Sequence, residues 1–384
     1  MSFLFIALFS LLLTPINAHT LCTVPAALNS TSDSSLLISS TVSSCGSNST
    51  ILFPAGNSYT LYTPLVFSDL SNVEFVFEAN ISIPADVAIV QGRWITWEGE
   101  NVTVRGSKNP NGGWFLAHGE LWWATGNRTN RPHWLRFAVI NVFMNNTLVD
   151  ARTSAGFRST TDFPFNTDAI DLSASDVLIT YLTVFNGDDV INVSGPASNV
   201  TVSNINSIGS HGVAVSGTSG NVSNILFENA TMENSLMGAR FKGKLGVTGW
   251  TSNVTWKNFV ITNTSYPIHF TEEYVDQEKG AAGTDTSIAA YAKNFKYINI
   301  KGSTNLDLAD GSCITDPCWS AATGEDSSKA IYLLCKDAAH CKNFHFEDID
   351  FTTPNGTAAS ELCTGLEGVT GMGITCTNNT ITVE

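Results

Sequence analysis

The sequence predicts an all-β chain wound as a right-handed parallel β-helix, a solenoid with capped ends. Three observations predict it. A unit of Asn followed by an apolar–polar–apolar triplet recurs from about residue 70, as in "SNVEFVFEANISI" (71–83), "SNVTVSNINSI" (198–208) and "SNVTWKNFVITN" (252–263). Charged residues make up only 14 % of the chain against 43 % hydrophobic, with Ser, Thr, Asn and Gly filling most of the rest. Paired strands joined by Asn-Gly or Asp-Gly turns, which a sandwich would need, are rare.

The elements follow in chain order. "MSFLFIALFSLLLTPINA" (1–18) is an apolar run ending in a small residue, read as a secretory signal cleaved after Ala18. It is too short for a membrane span, and no later stretch is long and apolar enough, so a soluble, secreted protein is expected. Apolar residues across 25–90 are expected to cap one end. Each later triplet alternates with period two and reads as a short strand. Asp176, Asn199, Asn224 and Asn253 are spaced by 23, 25 and 29 residues. That interval suits solenoid coils and is too short for propeller blades. Asn fits the bends because it tolerates left-handed backbone and bonds its own chain. No linker interrupts the pattern, so residues 19–384 are expected to form one domain.

The eight cysteines cluster at the two ends. Neighbour pairing, 22–45, 313–318, 335–341 and 363–376, is the simplest arrangement, and the spacing fits no common zinc pattern. Fourteen Asn-x-Ser/Thr sequons run from Asn29 to Asn378, some as glycan acceptors and others as structural Asn. The formal net charge of −15 argues against a broad nucleic-acid-binding face. An acidic ligand would need a local basic pocket. Sequons scattered along a capped helix point to a monomer.

In such a coil, residues one turn apart stack at about 4.8 Å. Asp168 precedes Asp188 by 20 residues, Asp189 precedes His211 by 22, and His211 precedes Arg240 by 29. Asp168, Asp188, Asp189, His211, Arg240 and Lys242 are therefore expected on one face of four successive coils. Crowded carboxylates raise one another's proton affinity, which lets an acid and a base coexist at one pH. Asp171, in the same stretch, reads as a structural turn residue, and Trp122 and Trp123 as packing more than a sugar platform.

"Asn166-Thr167-Asp168", "Gly187-Asp188-Asp189", "Ser210-His211-Gly212" and "Arg240-Phe241-Lys242", in that order, resemble the four motifs of the polygalacturonase (pectinase) family of glycoside hydrolases, family 28. The wording around them, with "MENSLMGAR" (232–240), is most similar to the fungal exopolygalacturonases. The resemblance implies a secreted inverting hydrolase of α-1,4-galacturonosidic linkages in pectin, exo-acting and needing no cofactor or metal. It implies that Asp188 is the general acid and that Asp168 and Asp189 activate a water. His211 tunes the acid or binds sugar, Arg240 and Lys242 hold a galacturonate carboxylate, Tyr274 contacts substrate and Asn166 orders the site. Acid and base would stand roughly 6.5–9.5 Å apart, leaving room for the water. Arg offers a planar fork and Lys a point charge for a carboxylate.

The sequence departs from the family pattern in three places. Val190 stands where the family has a Cys, and the partner Cys is missing from "NINSIG" as well. Phe241 replaces Ile, and the segment after His211 is short. Other readings are a hydrolase of xylogalacturonan or rhamnogalacturonan, a Ca²⁺-dependent pectate lyase, and a carbohydrate-binding β-helix without activity.

Overall fold

The computed structural model describes residues 19–376 apart from 28, 30–31, 89–92, 110, 125–132, 154–161, 276–286 and 314–317. The leader 1–18 and the sequons at Asn127 and Asn378 lie outside the described residues. Among the described residues, nineteen strands join in one sheet and three in another, and every strand–strand ladder among them is parallel. This is the right-handed parallel β-helix expected.

Each coil contributes a long strand and a short one. The long strands include Ser175–Phe185, Ala197–Ile208, Val222–Glu233, Trp250–Thr264 and Tyr291–Thr304, stacked in register. The short strands include Ile191–Ser194, Val213–Ser216, Met237–Lys242, Tyr266–Thr271 and Lys329–Leu334. A three-stranded ladder of Ser58–Thr60, Asn80–Ser82 and Phe115–Leu116 forms the second sheet.

Asn does what the pattern implied. Asn199, Asn224, Asn253 and Asn294 all adopt φ between 54° and 59°. Each donates its side-chain amide to the residue one coil back: Asn199 to Asp176 (2.9 Å), Asn224 to Asn199 (3.1 Å), Asn253 to Asn224 (2.9 Å) and Asn294 to Asn253 (2.8 Å). The ladder satisfies polar groups at the bend and fixes the stacking register at once. Several sequon asparagines, Asn199 and Asn253 among them, are therefore structural.

Inside, like residues stack on like. Trp256 lies parallel to Tyr297 at 4.9 Å, Tyr297 to Phe346 at 4.8 Å, and Trp97 to Phe137 at 4.8 Å. These distances are the coil spacing itself, so ring stacking and backbone pairing reinforce each other.

One expectation is corrected. Residues 25–90 are not a cap throughout. Strands Ser47–Phe53 and Leu65–Phe77 already pair in parallel register as coils and continue into that of Arg93–Gly106. The capping piece is the helix Ser35–Ser44, which buries Ile38 and Val42 against the core. All four disulfides pair as expected: Cys22–Cys45, Cys313–Cys318, Cys335–Cys341 and Cys363–Cys376. Trp122 and Trp123 are buried, and Asp171 forms an ion pair with Arg93 at 2.7 Å.

Candidate active site

The sequence-predicted residues converge, but not as a single column. Asp168, Asp188 and His211 sit in the turns that lead into the short strands. Arg240 and Lys242 sit within a short strand, in register with Ala214 and Ser216 of the coil before. Their long side chains reach back toward the acids, which is how residues two coils apart touch.

The turns are held by close backbone approaches. Thr167 Oγ1 donates to Pro164 O (2.6 Å) and accepts from Gly187 N (3.0 Å). Asn186 Nδ2 donates to the carbonyls of Thr167 (2.8 Å) and Asp189 (3.0 Å), tying the two acid-bearing turns together. A Cβ at Gly187 would lie 2.7 Å from Pro164, so the residue before the acid pair must be glycine. Gly212, at φ +101°, abuts the carbonyl of Gly238 and passes the chain behind His211. The peptide N–H of His211 donates to Asp188 O (2.8 Å), stacking one turn on the next.

Asp168, Asp188 and Asp189 each bring a carboxylate oxygen within 4.8 Å of the others. That is closer than the separation expected for two carboxyls flanking a water. Their environments differ sharply. Asp189 is fully buried and saturated: Oδ1 accepts from Arg240 Nη1 (2.7 Å) and Oδ2 from Lys242 Nζ. Asp188 Oδ1 accepts from His211 Nδ1 (3.2 Å) and from the Asp189 peptide N–H (2.9 Å). No donor among the described residues reaches Asp168, which is partly exposed.

The proton affinities follow. Burial, then repulsion from Asp188, Asp171 and Asp189, lifts Asp168 well above the usual carboxylate range. Burial would also raise Asp188, but His211, with Lys242 and Arg240 behind it, holds it well below that range. Burial opposes a charged His211, yet Asp310 and Asp188 outweigh it and push the imidazole up to about 10. Lys242 loses solvation on burial and is kept charged chiefly by Asp189. Under Arg240, one coil on, His269 is pushed down to about 3 by burial and by Arg240 itself, so no further cation crowds the guanidinium.

Aromatic rings frame the cations. Arg240 Cζ lies 5.6 Å from the Tyr274 ring centre and 5.2 Å from that of Trp319, and Lys242 Nζ lies 5.8 Å from Tyr274. Phe163 stacks on His211 at 6.1 Å. Asn166, in left-handed backbone at φ 54°, lines with Asp168 a cavity of about 870 Å³ on the amino-terminal side, beside Trp114, Trp122 and Phe165. The three carboxylates have the density of a cation site. Asp188 and Asp189, however, are already paired with His211, Arg240 and Lys242, so a divalent ion would have to displace protein cations.

Sequence reasoning missed Asn186, Asp310 and Trp319. Asn186 adjoins the acid pair and shared its signal. Asp310 lies 99 residues beyond His211, in a segment outside the repeating pattern, and carries no motif that would have found it.

Residues 127–313 match the family described as glycosyl hydrolases family 28. The chain is 31 % identical to the probable exopolygalacturonase C of Neosartorya fischeri, over 89 % of this chain and 87 % of that protein. It is 32 % identical to the probable exopolygalacturonase C of Aspergillus niger, over 94 % and 92 %. Among solved structures, the endo-xylogalacturonan hydrolase of Aspergillus tubingensis superposes with a TM-score of 0.68 at 22 % identity, over 94 % of this chain and 99 % of that one.

Proposed function

Because the chain belongs to family 28 of the glycosyl hydrolases, we propose that it hydrolyses α-1,4-galacturonosidic linkages of pectin, releasing units from a chain end. One observation carries this: three crowded carboxylates beside a buried Arg240–Lys242 pair, which gives a uronate carboxylate two local cations in an acidic protein. Relatives at 31–32 % identity named as exopolygalacturonases support the exo mode.

The differing environments divide the labour. Asp188, with His211 as its proton source, delivers a proton to the glycosidic oxygen as the C1–O bond breaks. Asp168, whose raised basicity suits a general base, takes a proton from the water whose oxygen bonds C1. Solvent then carries that proton back to the Asp188–His211 couple. Asp189 holds Arg240 and Lys242 in place for the substrate carboxylate. The close approach of the carboxylates would by itself suit a retaining pair. Yet a nucleophile must also leave from the glycosyl intermediate, which a carboxyl of raised basicity does poorly, so a single inverting displacement is the better reading. The four disulfides suit an oxidising compartment and so support work outside the cell, and the sequons scattered along the capped coil support a monomer.

The test is a digest of polygalacturonate, following viscosity, products and the first-formed anomer by NMR. Monomer release with little viscosity loss, and an inverted anomer, are expected. Rapid viscosity loss with mixed oligomers overturns the exo mode. No product from polygalacturonate or from a branched pectin overturns the hydrolase reading.

A further inference from the structure

His211 has two ring nitrogens, and both face carboxylates. Nδ1 lies 3.2 Å from Asp188 Oδ1, and Nε2 lies 2.9 Å from Asp310 Oδ2. The ring is 1 % exposed and Asp310 8 %. Asp310 is itself gripped: its Oδ1 accepts from Ser312 N (2.8 Å) and Ser312 Oγ (2.5 Å), and Trp319 Nε1 donates to Ser312 Oγ (3.0 Å). The segment is tied at its start, where Asn305 donates to Asn263 Oδ1 (2.7 Å) and Ser265 donates to Asp307 O (2.6 Å). It is tied again by Cys313–Cys318, after which Trp319 returns to within 5.3 Å of His211 and 5.2 Å of the Arg240 guanidinium.

We propose that Asp310 is a positioning residue for the hydrolytic acid: by accepting a hydrogen bond from His211 Nε2–H it fixes the imidazole with Nδ1–H aimed at Asp188. A carboxylate on Nε2 can be served only by an N–H there, and Asp188 makes the same demand on Nδ1. The pair of acids therefore selects the doubly protonated ring over either neutral tautomer. The other groups facing the ring do not reverse this. Arg240 Nη1 donates to the carbonyl of His211 (3.3 Å), and Phe163 and Trp319 pack on the ring without charge. The raised affinity of His211 agrees, with Asp310 a principal cause. The segment bearing Cys313 and Cys318 thus supplies both the anchor of the acid couple and an aromatic wall beside the uronate cations. The anchor touches no substrate and acts only through His211.

Two measurements test this, and only the first rests on the hydrolase reading. In Asp310→Asn, an isosteric change, kcat falls about tenfold or more while KM stays within about threefold, the size of effect expected when a proton donor is detuned. The alkaline limb of the pH profile moves down by about one pH unit or more as His211 loses a counter-charge. In the second, the wild-type protein labelled with ¹⁵N-histidine is followed by NMR, with His211 assigned by its loss in His211→Gln among the seven histidines. Both ring nitrogens of His211 should carry protons through pH 8. A neutral His211 at pH 7 in the wild type overturns the proposal, whether or not Asp310→Asn folds. So does an Asp310→Asn enzyme with unchanged kinetics and pH profile. A protonated His211 in a protein without activity on any pectin would uphold the positioning and sink the hydrolase reading instead.

Discussion

Replacing Asp189 separates its two conceivable jobs, holding cations and activating water. Its carboxylate is 0 % exposed, and Arg240 and Lys242, which share it, are 2 % and 7 % exposed. Breaking a buried pair from one side costs about 3–5 kcal/mol, because the remaining charge is left in a poorly solvating site. At about 2.1 cal/mol/K per residue over roughly 370 residues, unfolding entropy is near 0.8 kcal/mol/K, so Tm should drop by about 4–6 °C. Asp189→Asn, which retains one acceptor oxygen, should show most of this. Lys242→Met in that background should recover at least half, since it removes one stranded cation. Added galacturonate should raise the Tm of Asp189→Asn more than that of the wild type, because its carboxylate fills the missing counter-charge. Differential scanning calorimetry with and without the sugar acid reads all three. An Asp189→Asn protein with unchanged Tm, unchanged KM and a kcat lowered by about 10³ would refute the anchoring role and make Asp189 a base.

Three further outcomes follow from the same geometry. Asp168→Asn should lower kcat by about 10²–10⁴-fold without loss of fold, and in the wild type the acid limb of kcat/KM should lie above the usual carboxylate range, because burial and neighbouring acids raise Asp168 and the base must be ionised to act. Glu272 is pushed up to about 7 from 4.5, chiefly by burial, with Oε1 unpartnered and Oε2 accepting from Lys336 N at 2.8 Å. The folded state then binds the extra proton between those values, so the contribution of Glu272 to stability is full below pH 4.5 and is lost, by about 3 kcal/mol, as pH rises through 7, at ~1.4 kcal/mol per pH unit; Glu272→Gln should flatten that slope in a Tm-against-pH series. Asn253→Ala should cost about 3 kcal/mol in chemical denaturation, ~1 for each ladder hydrogen bond and about 1 for an alanine at positive φ, whereas Asn253→Gly should spare the backbone share.

How far the sequence could be read depended on whether a residue's task repeats. The coils were legible because each bend poses the same problem, a left-handed residue with amide groups to satisfy, and Asn solves it each time. The coil of Ser47–Phe53 was misread as part of a cap although Asn48 adopts the same left-handed backbone at φ 47° and Asn72 donates to it at 2.8 Å. Its signal was present: the 24-residue spacing from Asn48 to Asn72 matches those of the later coils. Extending the period back past residue 70 would have recovered it.

The site divides the same way. Asp168, Asp188, Asp189 and His211 sit at coil-equivalent turns, so counting residues brought them together. Arg240 and Lys242 came with their motif, but their pairing with Asp189 could not be counted. It depends on side-chain length spanning two coils and on the 4.5 Å stack of Phe241 on Phe270 beneath them, which holds the strand that presents both cations. Asp310 lay beyond counting altogether. A residue in a solenoid excursion has no coil address, and its register is set by local ties such as Asn305 on Asn263. The consequence is specific to this architecture. The repeating coils place the three crowded carboxylates, while the excursion, free of the repeat, brings Asp310 to His211 and Trp319 to Arg240. Variation among such enzymes in how strongly the acid holds its proton should therefore track the excursion more than the coils.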